Sequence, residues 1–410
     1  MIKFSKMKNK NPFIIAEMSG NHNHSFDRAF AIKNVYITQP ILPAYKDFCL
    51  QIKQIYKSGQ LTNSGQKHNE FEEKLKKVLA VNNVSLFNNG TIALLTAIKA
   101  LDLPINSEVI TTPWTFAATP HCIAWNGLKP VFCDIEPDTM CINPDKIEKL
   151  ITKNTSAILG VHVYGFPCDV KKIGSIAKKY NLKVIYDAAH AFSTEIKEGG
   201  GGIGNFGDIT MFSFHATKLF HTLEGGCLTY NDKNLIKKVH DLRNFGICNE
   251  DRVEDIGING KMNEIQAAMG LLNLKIFEKE KNARKKLKEF YDSSLSSIKG
   301  IRLPAIPKNI STSYQYYPII LENIYPITRN NLYEKLKQNG IYARKYFYPS
   351  CNDYECYKDL PSSRAENLPV VNDIKEKVLC LPFYGALKKE IAKKIVKIII
   401  EAGKQKSKGA

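Results

Sequence analysis

Between about residues 84 and 230, short apolar runs alternate with stretches of helical periodicity: VSLFNN, EVITTP, PVFCDI, SAILGVHVYG, KVIYDAA, ITMFSFH and GGCLTY. Strands that are apolar throughout are buried on both faces, and helices between them serve as crossovers. The pattern therefore predicts a mainly parallel sheet covered by helices on both sides. Upstream, VYITQPILPAYKDFCLQIKQIYKSGQLTNSG gives an extended Pro-containing start, an amphipathic helix and a Gly/Asn/Ser turn. Downstream, Ala/Leu/Lys/Glu-rich helical text runs from Lys261 to about Ile298. It is followed by an extended SYQYYPIIL, a helix TRNNLYEKLKQNG, a strand-like IYARKYFYP, a loop containing DLPSSRAENLP and a last helix.

These elements predict a large α/β domain over 34–275, a small α+β domain over 276–403 and a basic tail over 404–410. Residues 1–33 read as one separate strand-to-helix unit: an apolar strand from Pro12 to Ala16, a polar turn with Gly20, and a helix start at Ser25 with Asp27 in its first turn.

Composition and charge narrow the function classes. At 44% hydrophobic and 24% charged residues, the 410-residue chain has the composition of a folded globular protein. A formal charge of +18 permits nucleic acid, membrane surfaces or phosphorylated small molecules as partners. In EFEEKLKKVL and IFEKEKNARKKLKEF, however, acidic residues alternate with the lysines, which is the signature of solvated helix faces. No nucleic-acid-binding motif accompanies the charge. The ten cysteines form no CxxC pair and several sit in apolar runs, which suits reduced, buried thiols and argues against a disulfide framework or a zinc site. The run PFIIA is short for a signal-peptide core and no stretch reaches membrane-spanning length, so the expected compartment is the cytoplasm.

Three stretches carry candidate chemistry. In SLFNNGTIALLTAIKAL a strand ends at Asn88, Asn89, Gly90 and Thr91 and a helix begins at once. Exposed first-turn amides beside a glycine can hold a phosphate, although the same text describes an ordinary junction with a capping Thr. In KVIYDAAHAF, Asp187 falls at the C-terminal end of a strand, where open α/β sheets bind ligands, with His190 three positions on. The competing reading is a capping Asp and a packed His. In ITMFSFHATKLFHTLEGGCLTY, a strand leads Ser213, His215 and Lys218 into a loop. A surface lysine there is commonplace, yet in a partly dry site its amine can attack a carbonyl. The three together fit pyridoxal 5'-phosphate (PLP), which needs an amine for its aldehyde, an anion site for its phosphate and a carboxylate for its ring nitrogen.

From about residue 35 to 400 the chain resembles the DegT/StrS family of PLP-dependent nucleotide-sugar aminotransferases. The resemblance lies in SLFNNGTIALLTA, TTPWTFAAT, GLKPVFCDI, HVYGFPCDV, VIYDAAHAFS, FSFHATK, EGG, LRNFG and GINGKMNEIQAA. It implies the aspartate aminotransferase-like (type I PLP) fold. LFNNGTIALLTA, SFHATK and YARKYFYP are most similar to the branch that makes 4-amino-4,6-dideoxyhexoses, such as viosamine synthases.

The resemblance implies that Lys218 takes up the cofactor aldehyde and later moves the proton between cofactor and substrate carbon. It implies that Asp187 pairs with the ring nitrogen and that His190 hydrogen-bonds near the ring hydroxyl. The Gly90 and Thr91 amides and the Ser213 hydroxyl would hold the phosphate. Phe116, with Trp114 as the alternative, would stack on the ring. Asn259, with Lys261 as the alternative, would reach the cofactor phosphate of a neighbouring subunit, making the active site composite and the protein a homodimer. His215, Arg243 and Arg344 are expected on the substrate side or in packing roles. The implied reaction uses L-glutamate to convert PLP to pyridoxamine phosphate as an intermediate, which aminates a nucleotide-linked keto-6-deoxysugar for surface polysaccharide or glycan synthesis. The best match is C4 of dTDP-4-dehydro-6-deoxyglucose.

Within the fold, the alternatives are a 3-aminotransferase, a non-catalytic regulatory protein, or a sugar dehydratase, which carries His where Lys218 stands. NPFIIAEMSGNHNHSFDRAF separately resembles the first strand and helix of sialic and pseudaminic acid synthases. That barrel needs eight such units and nothing later in the chain supplies them.

Overall fold

The computed structural model describes residues 34–197 and 201–404. The strand and helix expected within 1–33, and the tail beyond Lys404, lie outside the described residues. The first two helices of the described residues are α1 (Tyr45–Ser58) and α2 (Gln66–Leu79). Gly59 in the left-handed region ends α1, as the Gly/Asn/Ser text predicts. The N-terminus of α2 is capped from afar: the buried Glu264 carboxylate accepts the backbone N–H groups of Lys67 and His68, both at 2.8 Å. Gly65 makes room for it, since a Cβ there would lie 2.6 Å from the Glu264 carboxyl carbon.

All seven apolar runs form strands of one sheet: β1 (Asn83–Phe87), β2 (Glu108–Thr111), β3 (Lys129–Phe132), β4 (Thr155–Val161), β5 (Lys183–Asp187), β6 (Ile209–Ser213) and β7 (Gly226–Tyr230). Their spatial order is β1-β7-β6-β5-β4-β2-β3. Only β7 runs against its neighbours, while β3, β2, β4, β5 and β6 pair in parallel. Helices α3 (Gly90–Ala100), α4 (Ala118–Trp125) and α5 (Val170–Tyr180) lie between successive strands. The last is amphipathic, burying Val170, Ile173, Ile176 and Ala177, with Asp169 as its N-cap. By contrast, α3 is buried over most of its surface and packs on β6, β7 and α4.

After α6 (Asn234–Leu242), helices α7 (Glu264–Asn273) and α8 (Phe277–Leu295) lead into a three-stranded antiparallel sheet. Its order is β8 (Ile301–Arg302), β9 (Tyr317–Leu321) and β10 (Val378–Leu381), with α9 (Arg329–Gln338), α10 (Pro369–Lys377) and α11 (Lys389–Gly403). A second core gathers here from Tyr291 and Leu295 of α8, Ile319 of β9, Leu332 and Leu336 of α9, and Ile395 and Ile399 of α11.

Three features depart from the sequence reading. Residues 34–37, expected with the large domain, join the smaller body: Val35 exchanges hydrogen bonds with Gly340 and Tyr342, and the Ile37 carbonyl accepts from Phe383. IYARKYFYP forms no strand, only isolated pairings of Ile341 and Arg344. Tyr346 and Phe347 turn into the cavity described below, which takes the backbone off the sheet. The loop expected around DLPSSRAENLP ends in α10, with Pro369 in its first turn. No helix among the described residues is long and apolar enough to cross a membrane.

Candidate active site

The C-terminal ends of β1, β5 and β6 and the N-terminus of α3 open onto a cavity of about 850 Å³. The smaller body closes one side of it with Tyr316, Arg344, Tyr346 and Phe347. Gly90, Thr91, Phe116, Asp187, His190, Ser213, His215, Lys218 and Arg344, all singled out in the sequence, line this one cavity.

The anion side is built on close backbone approach. A Cβ on Gly90 would lie 2.9 Å from Ser213 Cβ and 3.1 Å from its hydroxyl oxygen. A Cβ on Gly226 would lie 2.9 Å from the Gly90 backbone. Only glycine lets the first turn of α3 sit against Ser213, presenting unsatisfied helical amides beside a hydroxyl. The cap of α3 is Asn89, whose side-chain oxygen accepts from Ile92 N–H at 2.8 Å, leaving the hydroxyl of Thr91 out of the capping role. Gln266, which the sequence reading passed over, locks this corner. Its amide donates to the backbone oxygens of Asn88 (3.0 Å) and Glu224 (2.7 Å), while its oxygen accepts the Asn263 N–H in a capping box. The spacing of Asn263 and Gln266 in NEIQ was the available signal.

Asp187 is the last residue of β5 and is buried. One carboxylate oxygen accepts from Ala189 N–H (3.0 Å), the other from the Thr119 hydroxyl (2.8 Å). Burial pushes its carboxyl above the usual range, and the two hydrogen bonds and the Lys218 charge pull the other way. The buried carboxyl group faces the cavity.

Both histidines are neutral at pH 7. Burial, helped by the charge of Lys218, holds His190 well below the ordinary imidazole range and takes His215 down to about 4. His190 Nδ1 accepts the Tyr164 N–H at 3.3 Å, so its proton sits on Nε2. Its ring lies parallel to that of Phe347. His215 Nδ1 accepts the Thr217 N–H (3.3 Å), and its Nε2 lies 3.4 Å from Glu224 Oε1; with the ring neutral, that contact is no ion pair.

Phe116 reaches the cavity at its open mouth, 64% exposed, whereas Trp114 is buried and packs edge-on against Phe347. Arg243 does not line the substrate side: it is buried behind β1, donating to the Leu86 carbonyl (2.9 Å) and facing Glu72 at 3.8 Å. Its backbone carbonyl accepts from Gly260, fixing the strip that carries Asn259 and Lys261. Asn259 is exposed and lies outside its own chain's cavity, as does Lys261, whose ammonium donates to Asn244.

Of the ten cysteines, all unpaired, seven are buried. Cys248 approaches Asp241 and Glu254 as metal ligands would, but the Lys237 ammonium stands among them at 2.5–3.3 Å and occupies the place of a cation.

Residues 44–400 match the model of the DegT/DnrJ/EryC1/StrS aminotransferase family. Among known proteins, the chain is 45% identical over 373 residues to a dTDP-4-amino-4,6-dideoxy-D-glucose transaminase of Escherichia coli, covering 90% of this chain and 98% of that one. It is 43% identical over 369 residues to the protein of the same name from Shigella dysenteriae, covering 90% and 99%. The solved structure of DesI in the presence of its TDP-sugar product superposes with a TM-score of 0.85 at 30% identity, over 91% of this chain and 94% of that one.

Proposed function

Because the chain belongs to the DegT/DnrJ/EryC1/StrS aminotransferase family, we propose that it is a PLP-dependent transaminase that aminates C4 of dTDP-4-dehydro-6-deoxyglucose with L-glutamate as donor. The observation that carries the substrate is the 43–45% identity, along nine-tenths of the chain, to two transaminases named for dTDP-4-amino-4,6-dideoxy-D-glucose. The cavity suits the cofactor on its own evidence: an amine at Lys218, a buried carboxylate at Asp187 and a glycine-dependent anion cradle at Gly90 and Ser213 line it together. PLP, when bound, supplies an aldehyde and an electron-withdrawing ring through which an amino group passes from donor to acceptor.

The residues take the remaining roles. Lys218 would provide the amine for the aldehyde, and its Nζ would carry the proton to and from the reacting carbon. Asp187, held by the Thr119 hydroxyl and the Ala189 amide, would pair with the ring nitrogen. The amides of Gly90 and Thr91 and the Ser213 hydroxyl hold the phosphate, neutral His190 offers Nε2–H near the ring hydroxyl, and Phe116 covers a ring face. His215 and Arg344 face the substrates.

Asn259, with Lys261 as the alternative, serves the site of a second copy. Phe245, Ile256 and Ile258 are exposed apolar residues on the segments around that strip, Ile256 at 87%, and a homodimer would cover them. Unpaired cysteines suit a reducing compartment, the cytoplasm.

The test is incubation of holoprotein and glutamate with dTDP- and UDP-linked 3-keto and 4-keto sugars, with mass spectrometry of products. The reading expects the C4-aminated dTDP sugar as the preferred product. Preference for a 3-keto or a UDP-linked sugar would overturn the substrate assignment.

A further inference from the structure

The buried hydroxyls of α4 and the loop before it form a directed chain onto Asp187. The Thr119 hydroxyl is fully buried and its proton is committed to Asp187 Oδ2 at 2.8 Å. Thr115 Oγ1 lies 2.8 Å from Thr119 Oγ1, and because Thr119 has already spent its proton, Thr115 is the donor in that pair. The loop carrying Thr115 is pinned from the smaller body: Cys351 N–H donates to the Pro113 carbonyl at 3.0 Å and the Cys351 thiol to the Thr115 carbonyl at 3.3 Å. Oδ1 is served separately by the Ala189 amide. The carboxylate thus receives donors from the end of its own strand and from α4.

We propose that Thr119, oriented by Thr115, is a positioning residue that keeps Asp187 ionised and so keeps the proton on the cofactor ring nitrogen. The inference rests on the PLP reading above. Burial pushes the Asp187 carboxyl toward its neutral form, and the Thr119 hydrogen bond is one of the forces opposing it. A hydrogen bond to a buried charge is strong enough that its loss moves a proton equilibrium by about one to two pH units. Without Thr119 the proton shared between Asp187 and the ring nitrogen shifts toward the carboxyl, and the ring withdraws electrons less strongly. A merely structural threonine would not produce this shift, because valine fills the same volume.

The test uses holoprotein reconstituted with ring-¹⁵N-labelled PLP. In the wild type the ¹⁵N signal falls in the protonated range. In Thr119→Val it moves toward the unprotonated range and kcat drops roughly tenfold or more, with KM for the sugar unchanged. Thr119→Ser, which keeps the hydroxyl, restores both, and Thr115→Val gives a smaller shift in the same direction. A Thr119→Val signal identical to wild type, or a serine variant as impaired as valine, overturns the proposal. If Thr119→Val does not fold, Thr115→Val decides, and an unmoved signal there overturns it. A wild type that binds no PLP refutes the functional reading instead.

Discussion

Of the two roles open to Arg243, the structure shows the packing one, and its replacement separates them. Its side chain is 7% exposed, donates to the Leu86 carbonyl and faces Glu72, whose Oε2 has no hydrogen-bond partner. Removing one member of such a pair leaves the other charge buried and uncompensated, at a cost of about 3–5 kcal/mol. Arg243→Met should therefore lose that much stability in a denaturant titration.

The loss should depend on pH. Burial already raises the Glu72 carboxyl above 4.5, with Arg243 pulling it down, so the variant raises it further. A carboxyl raised in the folded state favours folding below its unfolded pKa and loses that contribution as pH rises through its folded value. Arg243→Met should thus be closest to wild type at acidic pH and weakest at neutral pH. Adding Glu72→Leu should recover most of the loss, since it removes the orphaned charge. A variant within about 1 kcal/mol of wild type in stability but with a raised KM for the nucleotide sugar would refute the buried role and return Arg243 to the substrate side.

Gly90→Ala should weaken PLP binding at least tenfold by equilibrium dialysis, because its Cβ would drive the start of α3 away from Ser213; wild-type affinity would show that the cradle is not built this way. His68 and His221 are buried neutral, with pKa values of about 4 against 6.5 when exposed. Their unfolded forms bind protons first, so stability should fall as pH drops from 6.5 toward 4, and a His68→Gln, His221→Gln double variant should flatten that slope. Since the family match begins at residue 44, deletion of residues 1–33 should leave kcat and KM unchanged; loss of turnover would mean that segment serves the enzyme.

The large sheet was legible because each strand is a short, mainly apolar run, the mark of burial on both faces. Lys218, Asp187, Ser213 and Gly90 were legible for a related reason: each sits where such a run ends, and strand ends of a parallel sheet converge on one edge. The choice between the two roles of Arg243 was not legible because nothing local marks an arginine as buried; its partners, Leu86 and Glu72, are more than 150 residues away. Thr119 and Gln266 escaped for the same reason, their work being done across elements distant in sequence. The strip 34–37 joins the smaller body through backbone pairing, which leaves no side-chain pattern to read.

The account's central claim is that Lys218 and Asp187 serve one cofactor that carries an amino group between two substrates. The most direct measurement is the visible absorbance of PLP-loaded protein on sequential addition of glutamate and dTDP-4-dehydro-6-deoxyglucose. The account predicts that the band is lost with glutamate alone and returns when the keto-sugar is added, and that Lys218→Ala abolishes turnover. A band indifferent to glutamate, or a Lys218→Ala protein that turns over at the wild-type rate, would contradict it.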